Sequence, residues 1–343
     1  MNTSSPHESP DVEREADRLS LIVQAHDRDL RSRVHGSTFD LDGARFELKS
    51  KGRNTVYRVK ARHSWFLKLV ARKNEGAIVR EQLGVEMISA ALGTERLYRG
   101  ARTVRLSTSP PYVLAEHIPG TQLSRLLFRS CWTPGRSASD HMARVFETLG
   151  HTLATLHVGI AASPDTPAAT TGPFAKVQGL LERTGQRGRV VDAIAAWLTT
   201  HRLSDAGTTF IHANFRLDNV LSCPPTVGFI DFENCGLGSS YQDLSRPISQ
   251  LALTLSSPLF PVGRIQYWVR AFLQGYERIH TYDRQLLWQF VAARQARHYL
   301  ESLDKSRLSN RIGGIPITRR GLERLTLTML AQDSTHPFLR SGA

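Results

Sequence analysis

Cysteine is scarce. Cys131, Cys223 and Cys235 are the only three, an odd number with no Cys-x-x-Cys pair and no metal-ligand spacing. That excludes a disulfide framework and a cysteine-built zinc site, and leaves three reduced thiols in a cytoplasmic protein as the expectation. Long apolar runs are also missing, since nothing approaches the roughly 20 consecutive apolar residues of a membrane span. The opening segment is polar and acid-containing, without the basic and apolar stretches of a secretory signal. Lysine is sparse, so the net charge of +13 is carried almost wholly by arginine, which is scattered. With no dense basic run interleaved with aromatics, a nucleic-acid partner is not expected, whereas a polycationic ligand is disfavoured.

What is present is the composition of a folded body, 41% hydrophobic and 22% charged. Residues 1–10 read as a tail and 12–34 as a short amphipathic helix. From Phe46 the texture changes. Arg45-Phe46-Glu47-Leu48, Thr55-Val56-Tyr57-Arg58-Val59 and Trp65-Phe66-Leu67-Lys68-Leu69-Val70 are β-branched and aromatic runs separated by polar turns, which predicts an antiparallel meander. Residues 75–92 have helical spacing, and strands fit 103–106 and 112–115. After Ile118-Pro119-Gly120 the periodicity turns helical, strongly so over 144–158 and 190–203. Short apolar strands flank Pro224-Pro225, long helical stretches run from 241 to about 303, and a last helix fits 318–331. The expected order is therefore a tail and short helix over 1–37, a β-rich lobe over 38–117 and a helical lobe over 118–343.

The sharpest chemical signal is His212-Ala213-Asn214-Phe215-Arg216-Leu217-Asp218-Asn219, followed by Val227-Gly228-Phe229-Ile230-Asp231-Phe232-Glu233. This is the spacing H-x-D-x-x-x-x-N of a kinase catalytic loop, then an apolar strand ending in a metal-binding aspartate. Phosphoryl transfer from a nucleotide needs a divalent metal on the phosphates, and hard cations take oxygen donors such as an amide carbonyl and a carboxylate. Asn219 and Asp231 supply those types, and the side chain two residues after His212 stands where an acceptor hydroxyl arrives. Asp243-Leu244 adds a further acid at the next element.

These residues resemble the aminoglycoside phosphotransferase and choline kinase superfamily, over roughly 46–276. The resemblance implies an α+β, protein-kinase-like fold with a small β-rich nucleotide-binding N-lobe and a larger helical C-lobe, ATP or GTP between them, and Mg²⁺ on Asn219 and Asp231. It implies that Lys51-Gly52-Arg53-Asn54-Thr55 covers the phosphates, with Gly52 and Asn54 nucleotide-binding. Lys68 matches the family's phosphate-binding lysine and Glu81 its helix partner. Glu116 and His117 match the hinge, and Leu156-His157 the end of the helix before the catalytic region. His212 and Asn214 fall at the catalytic positions, His212 as a support of the loop, and Asp243 matches the aspartate that holds the catalytic region through the backbone.

One departure stands out. Where the family has its catalytic aspartate this chain has Asn214, whose amide orients a hydroxyl but cannot take its proton near neutral pH. General-base help contributes about 10²–10⁴-fold, so a slowed enzyme is the expectation rather than a dead one. Asp218 is not a replacement base. The expected reaction is transfer of a γ-phosphoryl group to a hydroxyl of a small, neutral or anionic molecule. A nucleotide-binding pseudokinase and a kinase acting on peptide serine or threonine remain open.

Overall fold

The alternation of buried and open residues along the strands sets up the first half of the molecule. A computed structural model describes residues 10–33, 37–51, 54–71, 76–100, 103–133, 135–160, 166–169, 172–201, 209–255, 260–303, 311–312, 315–316 and 318–331. Its contacts divide the chain into Met1–Glu86 with Gly100–Pro119, and Met87–Arg99 with Gly120–Ala343.

The first unit opens with α1 (Pro10–Ser32), followed by β1 (Thr38–Leu41), β2 (Ala44–Lys51), β3 (Thr55–Lys60), β4 (Ser64–Leu69), the part of α2 (Gly76–Leu92) up to Glu86, β5 (Thr103–Thr108) and β6 (Pro111–Glu116). The strands form one antiparallel sheet in the order β1-β2-β3-β4-β6-β5. Ala44, Phe46 and Leu48 of β2, Tyr57 and Val59 of β3, and Trp65, Leu67 and Leu69 of β4 share one face by the period of two. They form one core with Ala16, Leu19, Ile22, Val23 and Leu30, the buried stripe of α1. So α1 is the cover of the sheet. Polar ties complete the seam. The Glu15 carboxylate accepts from the Arg62 and His63 amides at 2.6 and 3.0 Å and from the Trp65 indole at 3.3 Å, and it pairs with the His63 ring at 2.6 Å. Arg31 donates to the Val70 and Pro111 carbonyls at 2.8 and 3.0 Å. By the same parity Phe66 and Lys68 point to the opposite face.

The second unit contains β7 (Thr121–Gln122), α3 (Leu123–Trp132), α4 (Arg136–Gly159), α5 (Pro173–Thr184), α6 (Arg189–Thr200), β8 (Thr209–Ile211), β9 (Val220–Cys223), β10 (Thr226–Phe229), β11 (Gly236–Gly238), α7 (Ser240–Thr254), α8 (Val262–Glu277), α9 (Arg284–Leu303) and α10 (Arg319–Ala331). The hairpin expected around Pro224-Pro225 is β9–β10, joined by β7 on its other edge, while β8 pairs with β11. The helical stretch read over 241–303 resolves into α7, α8 and α9, and α3 and α5 were not expected. At 10 and 12 residues, each is about as short as the span over which helical periodicity stands out.

Two glycines let α4 and α8 approach backbone to backbone. A Cβ at Gly150 would lie 1.9 Å from the Phe272 carbonyl oxygen, and one at Gly275 would lie 2.0 Å from that of Glu147. Each helix thus presents a glycine to the other's backbone, and any side chain there would force the pair apart. Helices α5, α7 and α10 all pack on α9.

Candidate active site

The catalytic-loop segment is held from several sides before any functional group is considered. Phe215, Phe229 and Phe232 are buried, with Phe215 edge-on to both Phe229 and the His212 ring, and Phe232 tilted against His212 at 4.9 Å. His212 is fully buried. Its Nε2 donates to the Ile230 carbonyl at 3.0 Å, and its Nδ1 accepts from the Asn214 amide at 3.3 Å. With both ring nitrogens engaged, His212 ties the loop to the strand before Asp231 and has no nitrogen left to exchange a proton with a substrate. His212 is therefore a positioning residue, the loop support that its place in the motif implied.

Asp243, in the first turn of α7, accepts from the His212 amide at 2.6 Å through Oδ2 and from the Ala213 amide at 2.9 Å through Oδ1. A carboxylate in a first helical turn is favoured by the helix dipole, and here it holds the two residues preceding Asn214. The His157 Nε2 lies 3.5 Å from the same carboxylate, and its Nδ1 is 2.8 Å from the Tyr276 hydroxyl. This buried His157–Tyr276 support, drawn from α4 and α8, was not foreseen. Its only trace in the sequence is a histidine closing an amphipathic helix. Burial pushes the Tyr276 phenol above its ordinary pKa, so it serves as a neutral hydrogen-bonding group.

Backbone strain marks the two ends of the constellation. Ala213 and Asp231 have φ of 57° and 71°, a region non-glycine residues seldom adopt and which costs on the order of 1–3 kcal/mol each. The result is convergence. Asn214 Nδ2 donates to Asp231 Oδ2 at 2.9 Å. Asn219, at the end of a 3-10 turn (Leu217–Asn219), donates through Nδ2 to the Asn214 carbonyl at 2.9 Å and to Asp231 Oδ2 at 3.4 Å. A carboxylate only accepts, so both amides must turn their NH₂ groups toward it. Asp218 pairs with Arg216 at 2.9 Å.

The donor set suits a hard divalent cation. Mg²⁺ takes one or two protein oxygens and completes its shell from water and phosphate, and Asn219 and Asp231 can supply an amide oxygen and a carboxylate. Among the described residues no cluster of three or more His, Cys, Asp or Glu converges.

In the first unit, Lys68 of β4 and Glu81 of α2 meet at 3.2 Å, with side chains 16% and 10% exposed. So well buried a pair holds the ammonium in one direction, unlike a surface ion pair. Asn54 Oδ1 accepts from the Ala71 amide at 3.4 Å. His117 donates its backbone N–H to the Ser64 carbonyl at 2.9 Å, and its ring stacks on Phe66. Burial, then Arg58, pushes the His117 pKa down, with Glu116 opposing. Glu116 ends β6 opposite Trp65 and is exposed. Gly52 lies outside the described residues.

A family model described as "Phosphotransferase enzyme family" matches residues 47–284. The chain belongs to this phosphotransferase family. The resemblance read from the motifs is thereby borne out. No curated protein matches the chain. Among solved structures, a choline/ethanolamine kinase family protein from Mesorhizobium loti is 15% identical, with a TM-score of 0.54, covering 94% of this chain and 98% of its own. The macrolide 2'-phosphotransferase MphH from Brachybacterium faecium is 16% identical, with a TM-score of 0.52, covering 92% and 99%. An amicoumacin kinase solved with AMP-PNP, Ca²⁺ and its antibiotic is 14% identical, with a TM-score of 0.54, covering 96% and 98%. At these identities the likeness establishes the fold: this phosphotransferase has the α+β, protein-kinase-like architecture, with a β-rich N-terminal unit and a larger helical one. No helix among its described residues is long and apolar enough to cross a membrane.

Proposed function

We propose that this phosphotransferase moves the γ-phosphoryl group of ATP or GTP to a hydroxyl of a small molecule. The observation that carries the reading is the convergence of Asn214 and Asn219 on Asp231, across two backbone positions held at positive φ. Asn219 and Asp231 would hold Mg²⁺, which supplies neutralisation of the charge on the phosphates. Lys68, directed by Glu81, binds the α- and β-phosphates. Asp243 and His212 fix the backbone on either side of Ala213, so that Asn214 stands in one place to orient the acceptor hydroxyl. The proton of that hydroxyl leaves to water, because an amide cannot take it. Turnover is accordingly slow.

One observation favours a second reading. Asn214 is turned toward Asp231 and its donor is committed there, which is what a pseudokinase would need to keep a metal carboxylate in place without chemistry.

The test is nucleotide titration of Lys68→Ala and Asp231→Ala with and without Mg²⁺. Each variant should lose at least about tenfold in affinity for the magnesium nucleotide, as expected for removing a charged contact. Unchanged affinity in both, under both conditions, would remove the kinase-like site from consideration.

A further inference from the structure

The helical unit holds a second concentration of charge that the phosphoryl-transfer residues do not use. Lys176 on α5, Arg246 on α7, and Arg294, Arg297 and His298 on α9 come from three helices, and both α5 and α7 pack on α9. Arg294 is fixed against α7, donating to Ser245 Oγ at 2.8 Å and to the Gln242 carbonyl. That sets a buried guanidinium beside the residue that precedes Arg246. Arg297 holds Glu301 at 2.8 Å. Arg216, on the catalytic loop, adds to the positive charge felt at Arg246 and His298. Helix α7 also braces that loop directly, because the Leu217 amide donates to Gln250 Oε1 at 2.8 Å.

Among the described residues Glu301 pairs with Arg297 and Asp218 with Arg216, while Lys176, Arg246 and Arg294 add further positive charge to the group. Arg246 Nε is sealed from solvent without a hydrogen-bond partner among the described residues. A buried donor left unmade is unfavourable unless something else supplies an acceptor. Repulsion among these cations adds to burial in lowering their pKa values. Burial first, then Arg297, Arg246 and Arg294, push the Lys176 ammonium down to about 8, with Glu301 opposing. Burial followed by Arg246, Arg297 and Arg294 holds His298 well below its ordinary value, which keeps its ring neutral and able both to donate and to accept. Yet Lys176, Arg246, Arg297 and His298 all keep part of their surface open. Crowded, partly desolvated and accessible cations of one sign form a focused positive field, the arrangement that binds an anion.

We propose that this cluster selects the acceptor: the hydroxyl compound phosphorylated here carries a carboxylate or phosphate group, bound by Arg246, Lys176 and Arg297 beside the catalytic loop. The inference rests on the kinase reading and narrows its substrate class to anionic hydroxyl compounds. It also accounts for the direction of the whole chain's charge, which steers anions inward.

The test titrates inorganic phosphate, and separately acetate, into the full chain by calorimetry, using wild type, Arg246→Gln, Lys176→Gln and Lys68→Ala. Circular dichroism verifies that each variant is folded, and the two glutamine variants lie on different helices so that loss of one fold leaves the other measurement. Each sample is also titrated with magnesium ATP. Wild type should bind at least one of the two anions at millimolar concentration, the response to phosphate or to acetate telling which group is preferred. Arg246→Gln or Lys176→Gln should weaken that binding about tenfold, as for a lost charge-assisted hydrogen bond, and the response that persists in Lys68→Ala, whose nucleotide site has lost its phosphate contact, belongs to the cluster. Label transfer should then favour glycerate or glycerol 3-phosphate over glycerol. Absence of anion binding, or binding that only Lys68→Ala abolishes, overturns the inference while intact ATP binding preserves the kinase reading. Loss of ATP binding in wild type with the anion response retained overturns the kinase reading instead.

Discussion

Replacing Asn214 by aspartate exchanges a hydrogen bond for a meeting of like charges, and the structure sets the size of the effect. The Asn214 amide lies 2.9 Å from an Asp231 oxygen. A hydrogen bond to a charged group contributes about 1.5–3 kcal/mol, and that is lost. Two carboxylates at the same separation would repel by about 6 kcal/mol at an effective dielectric of about 20. Both residues are only half-buried, so rotation and solvent relieve much of this, and a net destabilisation of roughly 2–4 kcal/mol is expected without metal. For a unit of this size that lowers the melting midpoint by roughly 5–10 °C in EDTA. Millimolar Mg²⁺ should recover more than half of the loss, because a divalent cation between two carboxylates turns repulsion into coordination. On the proposed reading the new carboxylate would stand where the acceptor proton leaves, so label transfer should rise at least about tenfold once metal is present. Melting curves of both proteins in EDTA and in Mg²⁺, with turnover and nucleotide affinity measured separately, check each step. A midpoint within about 1 °C of wild type in EDTA would refute the coupling of Asn214 to Asp231. A fall in transfer would refute the role assigned to Asn214.

Glu15 offers a pH-dependent test of how α1 is seated. Although burial pushes its carboxyl up, hydrogen bonds from the His63 ring, the Arg62 and His63 amides and the Trp65 indole outweigh it and hold the pKa below 4.5. A depressed folded pKa contributes stability fully present above the unfolded value and lost as pH falls through the folded one. Glu15→Gln should therefore cost about 2 kcal/mol at pH 7, and urea midpoints of the two proteins should converge below about pH 4.5; a constant gap down to acid pH contradicts this. Gly150→Ala and Gly275→Ala should each destabilise by about 3 kcal/mol, because the new methyl meets backbone on the facing helix rather than a movable side chain. The double variant should lose clearly less than the sum, since the first methyl already separates α4 from α8; additive denaturation midpoints would show that the two contacts are independent.

Several features of this chain are local and so were legible from its residues alone. The alternation in 45–48, 55–59 and 65–70 implies half-buried strands whatever surrounds them, and β2, β3 and β4 lie there. The catalytic motif is likewise a spacing along one loop and one hairpin, which is why His212, Asn214, Asn219 and Asp231 could be named before their side chains were seen to converge. Helix α1 was read as a short helix after a tail, but its burial against the sheet was not, because a stripe of Leu19, Ile22 and Val23 does not name its partner. His212 was expected to support the loop, but the groups it ties together, the Ile230 carbonyl and the Asn214 amide, needed coordinates.

The cationic cluster marks the boundary most sharply. Lys176, Arg246 and Arg297 are far apart in sequence, and in an arginine-rich chain each looks like one more solvated charge. Only the packing of α5 and α7 on α9 turns scattered charge into a local field. Periodicity and motif spacing are properties of neighbouring residues and are therefore written in the chain. Which helices meet, and hence which charges repel, depends on long-range packing and was decided by the tertiary structure alone.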